Sequence, residues 1–147
     1  EKTACEATRS GNGFRISGQK QFVVQGASSD MLIVAVRTAG AAGETDGLTL
    51  FAVEKDAAGL SMEAARLVDS AVAAHVKLDG VEVTADAVIG EVDGGWTVLT
   101  KMLDAGRVGA AAEMVGVGSG AMDMTFDYLK TRKQFDRVIG EFQALQH

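Results

Sequence analysis

The chain has 147 residues, of which 47% are hydrophobic, and its net charge is -6. That length and apolar share support a buried core and exclude wholesale disorder, while the acidic balance excludes a general nucleic-acid binder. A single cysteine, Cys5, excludes an internal disulfide and a cysteine-rich metal site, and it fits a reducing compartment, the cytoplasm. Proline is absent and glycine numbers 18, so turns must rest on Gly, Asp and Asn. No apolar run nears the ~18 residues of a membrane helix. The opening "EKTACEATRSGNG" has neither the pattern of a signal peptide nor an initiator Met, so a piece of a longer chain is expected. Cys5 falls in what reads as a frayed terminus.

Up to about residue 91 the texture is that of strands. "GFRISGQKQFVV" alternates apolar and polar side chains before turning apolar, and "DMLIVAVRT" is a short β-branched run of the buried-strand type. "DGLTLFAVEKD" follows the turn-rich "TAGAAGETDG". In "AAHVKLDGVEVT", Val76 and Leu78 share one face, as do Val81 and Val83, and Asp79-Gly80 between them signals a hairpin or a bulge. His75 reads as an ordinary strand histidine, because no second ligand stands at metal spacing. Short strands with Gly-rich turns predict an antiparallel barrel or sandwich.

From about Asp93 the period changes to three and four. Trp96, Leu99, Leu103, Ala110, Met114, Val117, Ala121 and Leu129 predict a helix from about Gly94 to Arg132, with Asp93 as N-cap. "GVGSG" lies inside that helix, where no free N–H groups face a phosphate, and reads as a packing surface. Asp104 and Arg107, three apart, fit an ordinary helix-surface ion pair by spacing alone. "RVIG" reads as a turn and "EFQALQH" as the start of a second helix. The expected class is therefore β+α: a β-barrel or sandwich over 1–91, then the long helix and the start of another over 92–147.

Four of the chain's basic residues, Lys130, Arg132, Lys133 and Arg137, crowd into the closing segment. A cation at a helix C-terminus complements the dipole, which accounts for Lys130 and Arg132. It leaves Gln134, Phe135 and Gln143 at the same corner unexplained. Arginine has the forked donors that suit a pyrophosphate, and glutamine can bond ribose or adenine edges. An anionic nucleotide is the second reading of this corner.

"RKQFDRVIGEFQALQH" closely resembles the signature segment of the acyl-CoA dehydrogenase family, flavoproteins that desaturate acyl-CoA thioesters. "GNGFRISGQKQFVVQGASSDMLIVAVRT" is similar to that family's middle β-domain. "HVKLDGVEVTADAVIGEVDGGWTVLTKMLDAGR" looks like the passage into its first C-terminal helix. "ARLVDSAVAAHVKLDGV" resembles members related to pimeloyl-CoA dehydrogenases.

The resemblance implies FAD as cofactor, an acyl-CoA substrate, electron-transfer flavoprotein or a similar acceptor, and a homo- or hetero-oligomer. Neither nucleic acid nor a membrane is expected as a partner, and no metal. It implies that Arg132, Gln134, Phe135 and Gln143 contact the FAD of a neighbouring subunit. Phe22, Val23 and Val24 would lie against the flavin ring, with Val24 lacking the hydroxyl usual there. Asp136 stands where glycine is commoner. Asp104 and Arg107 would lie near the acyl-CoA, and Thr38 near the CoA arm. In the implied reaction a carboxylate takes the proton alpha to the thioester carbonyl and the beta hydride passes to the flavin.

Gly106, before Arg107, occupies one family position for that base and cannot act. Asp104 is turned about 200 degrees from it on a helix. The base is therefore expected beyond His147. Two alternatives stay open: a non-catalytic partner chain of a two-subunit dehydrogenase, or a flavin oxidase or monooxygenase on the same scaffold.

Overall fold

The computed structural model describes residues 3–147, which divide into two compact units, Glu1–Thr100 and Lys101–His147. The first unit holds seven strands: β1 (Glu6–Ser10), β2 (Gly13–Val24), β3 (Met31–Arg37), β4 (Leu48–Glu54), β5 (Leu60–Arg66), β6 (Val72–Thr84) and β7 (Val88–Ile89). They form one sheet in the order β5-β6-β2-β1-β3-β4-β7. Every pairing is antiparallel except a single parallel match, Glu6 with Arg37, between β1 and β3.

This sheet is curled. Strands β2 and β4 stand three places apart in the order, which in a flat sheet would separate them by about 14 Å. Yet the rings of Phe14 on β2 and Phe51 on β4 meet edge to face with centroids 5.0 Å apart. The inward residues of five strands, among them Ile16, Val34, Val36, Phe51, Val53, Val76, Leu78 and Val81, close one apolar core. The barrel-or-sandwich expectation thus takes the form of a single rolled sheet.

Several local expectations change. The alternation in "AAHVKLDGVEVT" is one continuous strand, and of the two expected readings of Asp79-Gly80 the bulge is the one present. Asp79 and Gly80 together face Ser17, between the pairs Ile16–Val81 and Gly18–Leu78, and Gly80 supplies the positive φ of 66°. Strands β1 and β5 are not among the expected elements: "EATRS" carries a single apolar residue, while "LSMEAAR" is short although Leu60, Met62 and Ala64 alternate with polar neighbours.

Cys5 is not at a frayed end. Its carbonyl accepts the Arg37 N–H at 2.8 Å, and its side chain is 1% exposed in the core. A Cβ on Gly18 would sit 2.7 Å from its Cα, so only glycine lets the two backbones approach. Burial raises the thiol's pKa above its ordinary value. Burial likewise lowers the pKa of Lys20, whose Nζ donates to Thr3 Oγ1 at 2.7 Å and to the Ala35 carbonyl at 2.6 Å.

The approach to the helix also departs from expectation. Asp93 has a left-handed φ of 64° and is not an N-cap through its carboxylate. The carboxylate instead accepts the Thr38 hydroxyl at 2.6 Å, and the Asp93 N–H donates to Thr49 Oγ1 at 2.8 Å. The two hydroxyls lie 2.6 Å apart, so Thr49 can donate to Thr38 and complete a ring of three hydrogen bonds. Helix α1 (Gly95–Thr131) begins two residues later, within one residue of the expected start. No helix among the described residues is long and apolar enough to cross a membrane.

The loop between β3 and β4 is organised by Arg37. Its side chain is buried, with Nη1 donating to the Ala39 and Asp46 carbonyls at 3.2 and 3.0 Å and Nη2 to the Glu44 carbonyl at 2.9 Å. Removing a buried donor orphans every carbonyl it serves. Arg37→Ala should lower stability by roughly 3 kcal/mol, read as a reduced midpoint in urea unfolding; an unchanged midpoint would show that water replaces the guanidinium without cost.

Candidate functional site

The sequence-predicted residues fall into two groups, one in each unit. In the first unit the group lies at the end of β2. Between the pairs Lys20–Val76 and Val23–Ala74, both Gln21 and Phe22 face the single residue His75. The extra residue is accommodated by Phe22, whose φ of 54° is unusual for an aromatic residue. A bulge of this kind re-aims a side chain. Phe22 is 57% exposed, and its ring meets the His75 imidazole edge to face with centroids 5.0 Å apart.

Val23 packs against the core and offers a ligand only its backbone, while Val24 is an exposed hydrocarbon surface. Among the described residues the ladder between β1 and β2 runs from Ser10–Gly13 to Glu6–Ser17. Beside the bulge lies a cavity of about 340 Å³, lined in part by Gln21, Ser61, Glu63, His75 and Lys77. Sequence reasoning passed over His75; the signal available was its place opposite "QF" across two alternating strands.

Thr38 is engaged in the hydroxyl ring with Thr49 and Asp93. It also borders a second cavity of about 340 Å³, together with Arg9, Phe14 and Asp93.

In the second unit, α1 ends at Thr131 and the chain turns through a two-residue hairpin. Strands β8 (Lys133–Gln134) and β9 (Arg137–Val138) pair Gln134 with Arg137. The turn residues Phe135 and Asp136 both have positive φ, 54° and 63°, the geometry of a type I′ turn. "RVIG", expected as a turn, supplies β9 and a 3-10 turn over Ile139–Glu141, and α2 (Gln143–Gln146) follows.

Phe135 is 84% exposed. Behind it Phe142 is flanked by the Phe135 ring at 6.2 Å and by the Arg137 guanidinium at 4.0 Å. Arg132, Gln134 and Gln143 are all exposed, so this corner presents a guanidinium, two amides and an aromatic face. A cavity of about 500 Å³ nearby is lined by other residues, including Phe126, Leu129 and Leu145. Further back on α1, Arg107 Nη1 donates to Asp104 Oδ1 at 2.6 Å on the helix surface, and Gly106 stands in open space. Helix α1 bares apolar side chains in several directions, Met114, Val115 and Val117 among them, rather than along a single stripe.

The family model of the acyl-CoA dehydrogenase middle domain matches residues 1–81, and that of the C-terminal domain matches residues 93–147. The chain belongs to the acyl-CoA dehydrogenase family. It is 33% identical over 146 residues to a 3-(aryl)acrylate reductase of Clostridium sporogenes, covering 97% of this chain and 38% of that protein. It is 31% identical over 138 residues to the caffeyl-CoA reductase-Etf complex subunit CarC of Acetobacterium woodii, covering 92% and 36%. A glutaryl-CoA dehydrogenase solved with glutaryl-CoA superimposes with a TM-score of 0.85 at 27% identity, covering 98% and 37%. The chain therefore spans under two fifths of the length of these acyl-CoA dehydrogenase relatives.

A non-glycine residue in the left-handed region costs conformational energy that glycine avoids. Asp136→Gly should therefore stabilise the hairpin by about 0.5–1 kcal/mol, visible as slower amide exchange across β8 and β9. Faster exchange would mean that the Asp136 carboxylate itself holds the turn.

Proposed function

We propose that this chain is part of an FAD-dependent acyl-CoA dehydrogenase that desaturates an acyl-CoA thioester. Residues 1–91 serve as its middle domain and 92–147 as the beginning of its helical domain. The observation that carries the reading is the bulge of β2, which holds the Phe22 ring exposed. This is the sequence position that the family lays against flavin.

The residues present fit FAD. Phe22 gives a flat apolar surface, and Val24 beside it is exposed. At the second corner Arg132 can take a pyrophosphate through charge-assisted bonds, while Gln134 and Gln143 bond sugar or base edges. Asp136 adds a negative charge there, which its exposure to water screens. FAD, when bound, supplies the two-electron acceptor for the substrate's hydride. The task of this chain is to hold and orient: Phe22 and Val24 form a dry floor, and Arg132, Gln134, Phe135 and Gln143 reach the cofactor of a neighbouring subunit. That sharing implies an oligomer, in the cytoplasm. The name of one relative, a subunit of a caffeyl-CoA reductase-Etf complex, supports an electron-transfer flavoprotein as redox partner.

Asp104 and Arg107 lie on one surface of α1 and are assigned to the acyl-CoA side, with Thr38 nearer the CoA arm. None of them is a convincing base. Arg107 stays cationic at any working pH, Gly106 has no side chain, and Asp104 is tied to Arg107. The base is assigned to residues beyond His147. The hydrocarbon at Val24 and the glycine at 106 favour one second reading, a partner chain that binds flavin while another subunit performs the chemistry.

In the complete protein, Arg132→Ala should weaken FAD binding by about 1.5–3 kcal/mol, measured by titrating apoprotein. Unchanged binding would reduce Arg132 to a helix-end cation. Asp104→Asn should keep measurable exchange of the substrate's alpha proton with solvent. Loss of that exchange, with fold and flavin content intact, would identify Asp104 as the base.

A further inference from the structure

The bulge in β2 has an unusual partner. A two-for-one bulge that needs a left-handed residue normally uses glycine there. Here the position is filled by a large aromatic, Phe22, at φ 54°. Strain of this kind persists only where the surroundings over-determine it. The single residue that both Gln21 and Phe22 face is His75, and its half-buried imidazole is the side chain in ring contact with Phe22, edge to face at 5.0 Å and 65°. No other side chain is in ring contact with Phe22 among the described residues. Glu63 pairs with His75 across the β5–β6 ladder on its other side, so the imidazole stands between a carboxylate-bearing strand and the Phe22 ring.

We propose that His75 is a positioning residue for Phe22: through its T-shaped contact with the ring, it fixes the tilt of the aromatic face that this chain offers to the flavin. The proposal rests on the reading that Phe22 lies against the flavin. An edge-to-face contact leaves one ring face of Phe22 uncovered by His75 and restricts its rotamer, which is what a stacking floor requires. No proton transfer is asked of His75, and an aromatic ring of similar width should serve in its place.

The test uses the complete flavoprotein and its apoprotein. FAD affinity is measured by titration, and the visible circular dichroism of bound flavin reports the ring's surroundings. In His75→Ala the dissociation constant for FAD should rise about 2- to 12-fold, the span of an aromatic pair contact, with a changed flavin dichroism band. His75→Phe should restore both, because it returns an aromatic edge without the imidazole's charge or hydrogen bonds. Should His75→Ala unfold the sheet, His75→Gln, polar and ringless, is read in the same way. If Phe22→Ala alters the flavin band while the ringless His75 variants do not, the positioning role is overturned and the flavin reading stands. Failure of His75→Phe to restore the band also overturns it, since the imidazole would then act by charge or hydrogen bonding. If Phe22→Ala itself leaves the band unchanged, Phe22 is not at the flavin and both readings fall.

Discussion

Two residues of β2 opposite one of β6 cannot continue a regular ladder, and much of the first unit follows from how that mismatch is absorbed. β2 carries two such irregularities of opposite sense. At Ser17 the extra residue lies on β6 and is taken up by Gly80; at His75 it lies on β2 and is taken up by Phe22. The first uses glycine, the residue with the least to lose there. The second uses an aromatic residue and turns it outward. Bulges increase the local right-handed twist, and a strongly twisted sheet brings Phe14 and Phe51 together across three strand positions. The same strand thus rolls the core and presents the ring.

The second unit solves a related problem with different chemistry. After a 37-residue helix the chain must reverse within a few residues. It does so with a type I′ turn, whose twist matches that of paired strands. Two side chains therefore sit in the left-handed region, and Phe135 is thrust into solvent with Phe142 and Arg137 stacked behind it. In both units an exposed phenylalanine occupies a backbone conformation better suited to glycine. The recurrence gives the two candidate surfaces the same physical signature, a left-handed backbone beneath an exposed aromatic ring.

Much of this was legible in the sequence. "DMLIVAVRT" reads directly as β3 because an uninterrupted β-branched run leaves few alternatives, and the change of period at Asp93 marks α1 to within a residue. What stayed hidden was hidden for identifiable reasons. Cys5 looked terminal because burial there depends on a glycine thirteen positions away allowing close approach. Strand β5 does alternate, at Leu60, Met62 and Ala64, but the run is short and lies at the sheet edge, largely open to water. Asp93 has the identity of an N-cap, yet its carboxylate is claimed by a hydroxyl 55 residues upstream, a competition no local rule reveals. For the candidate site, residue types were readable, since Arg132, Gln134, Phe135 and Gln143 announce themselves by composition. The bulge that aims Phe22, and the place of His75 opposite it, depend on strand register, which composition does not encode.

The hydroxyl ring at the entrance to α1 has a direction. The Asp93 carboxylate can only accept, so the Thr38 proton must point toward it, the Thr49 proton toward Thr38, and the Asp93 N–H back toward Thr49. Replacing either hydroxyl by a hydrocarbon breaks the cycle, and the cost falls on fully buried Thr49, since the exposed Asp93 carboxylate can turn to water. Serine is admissible at 38 or 49, and valine, although of the same shape, is not. Three positions separated by 11 and 44 residues are thereby bound into one unit of inheritance. A substitution at one of them therefore changes what the other two must donate or accept at the threshold of the helix.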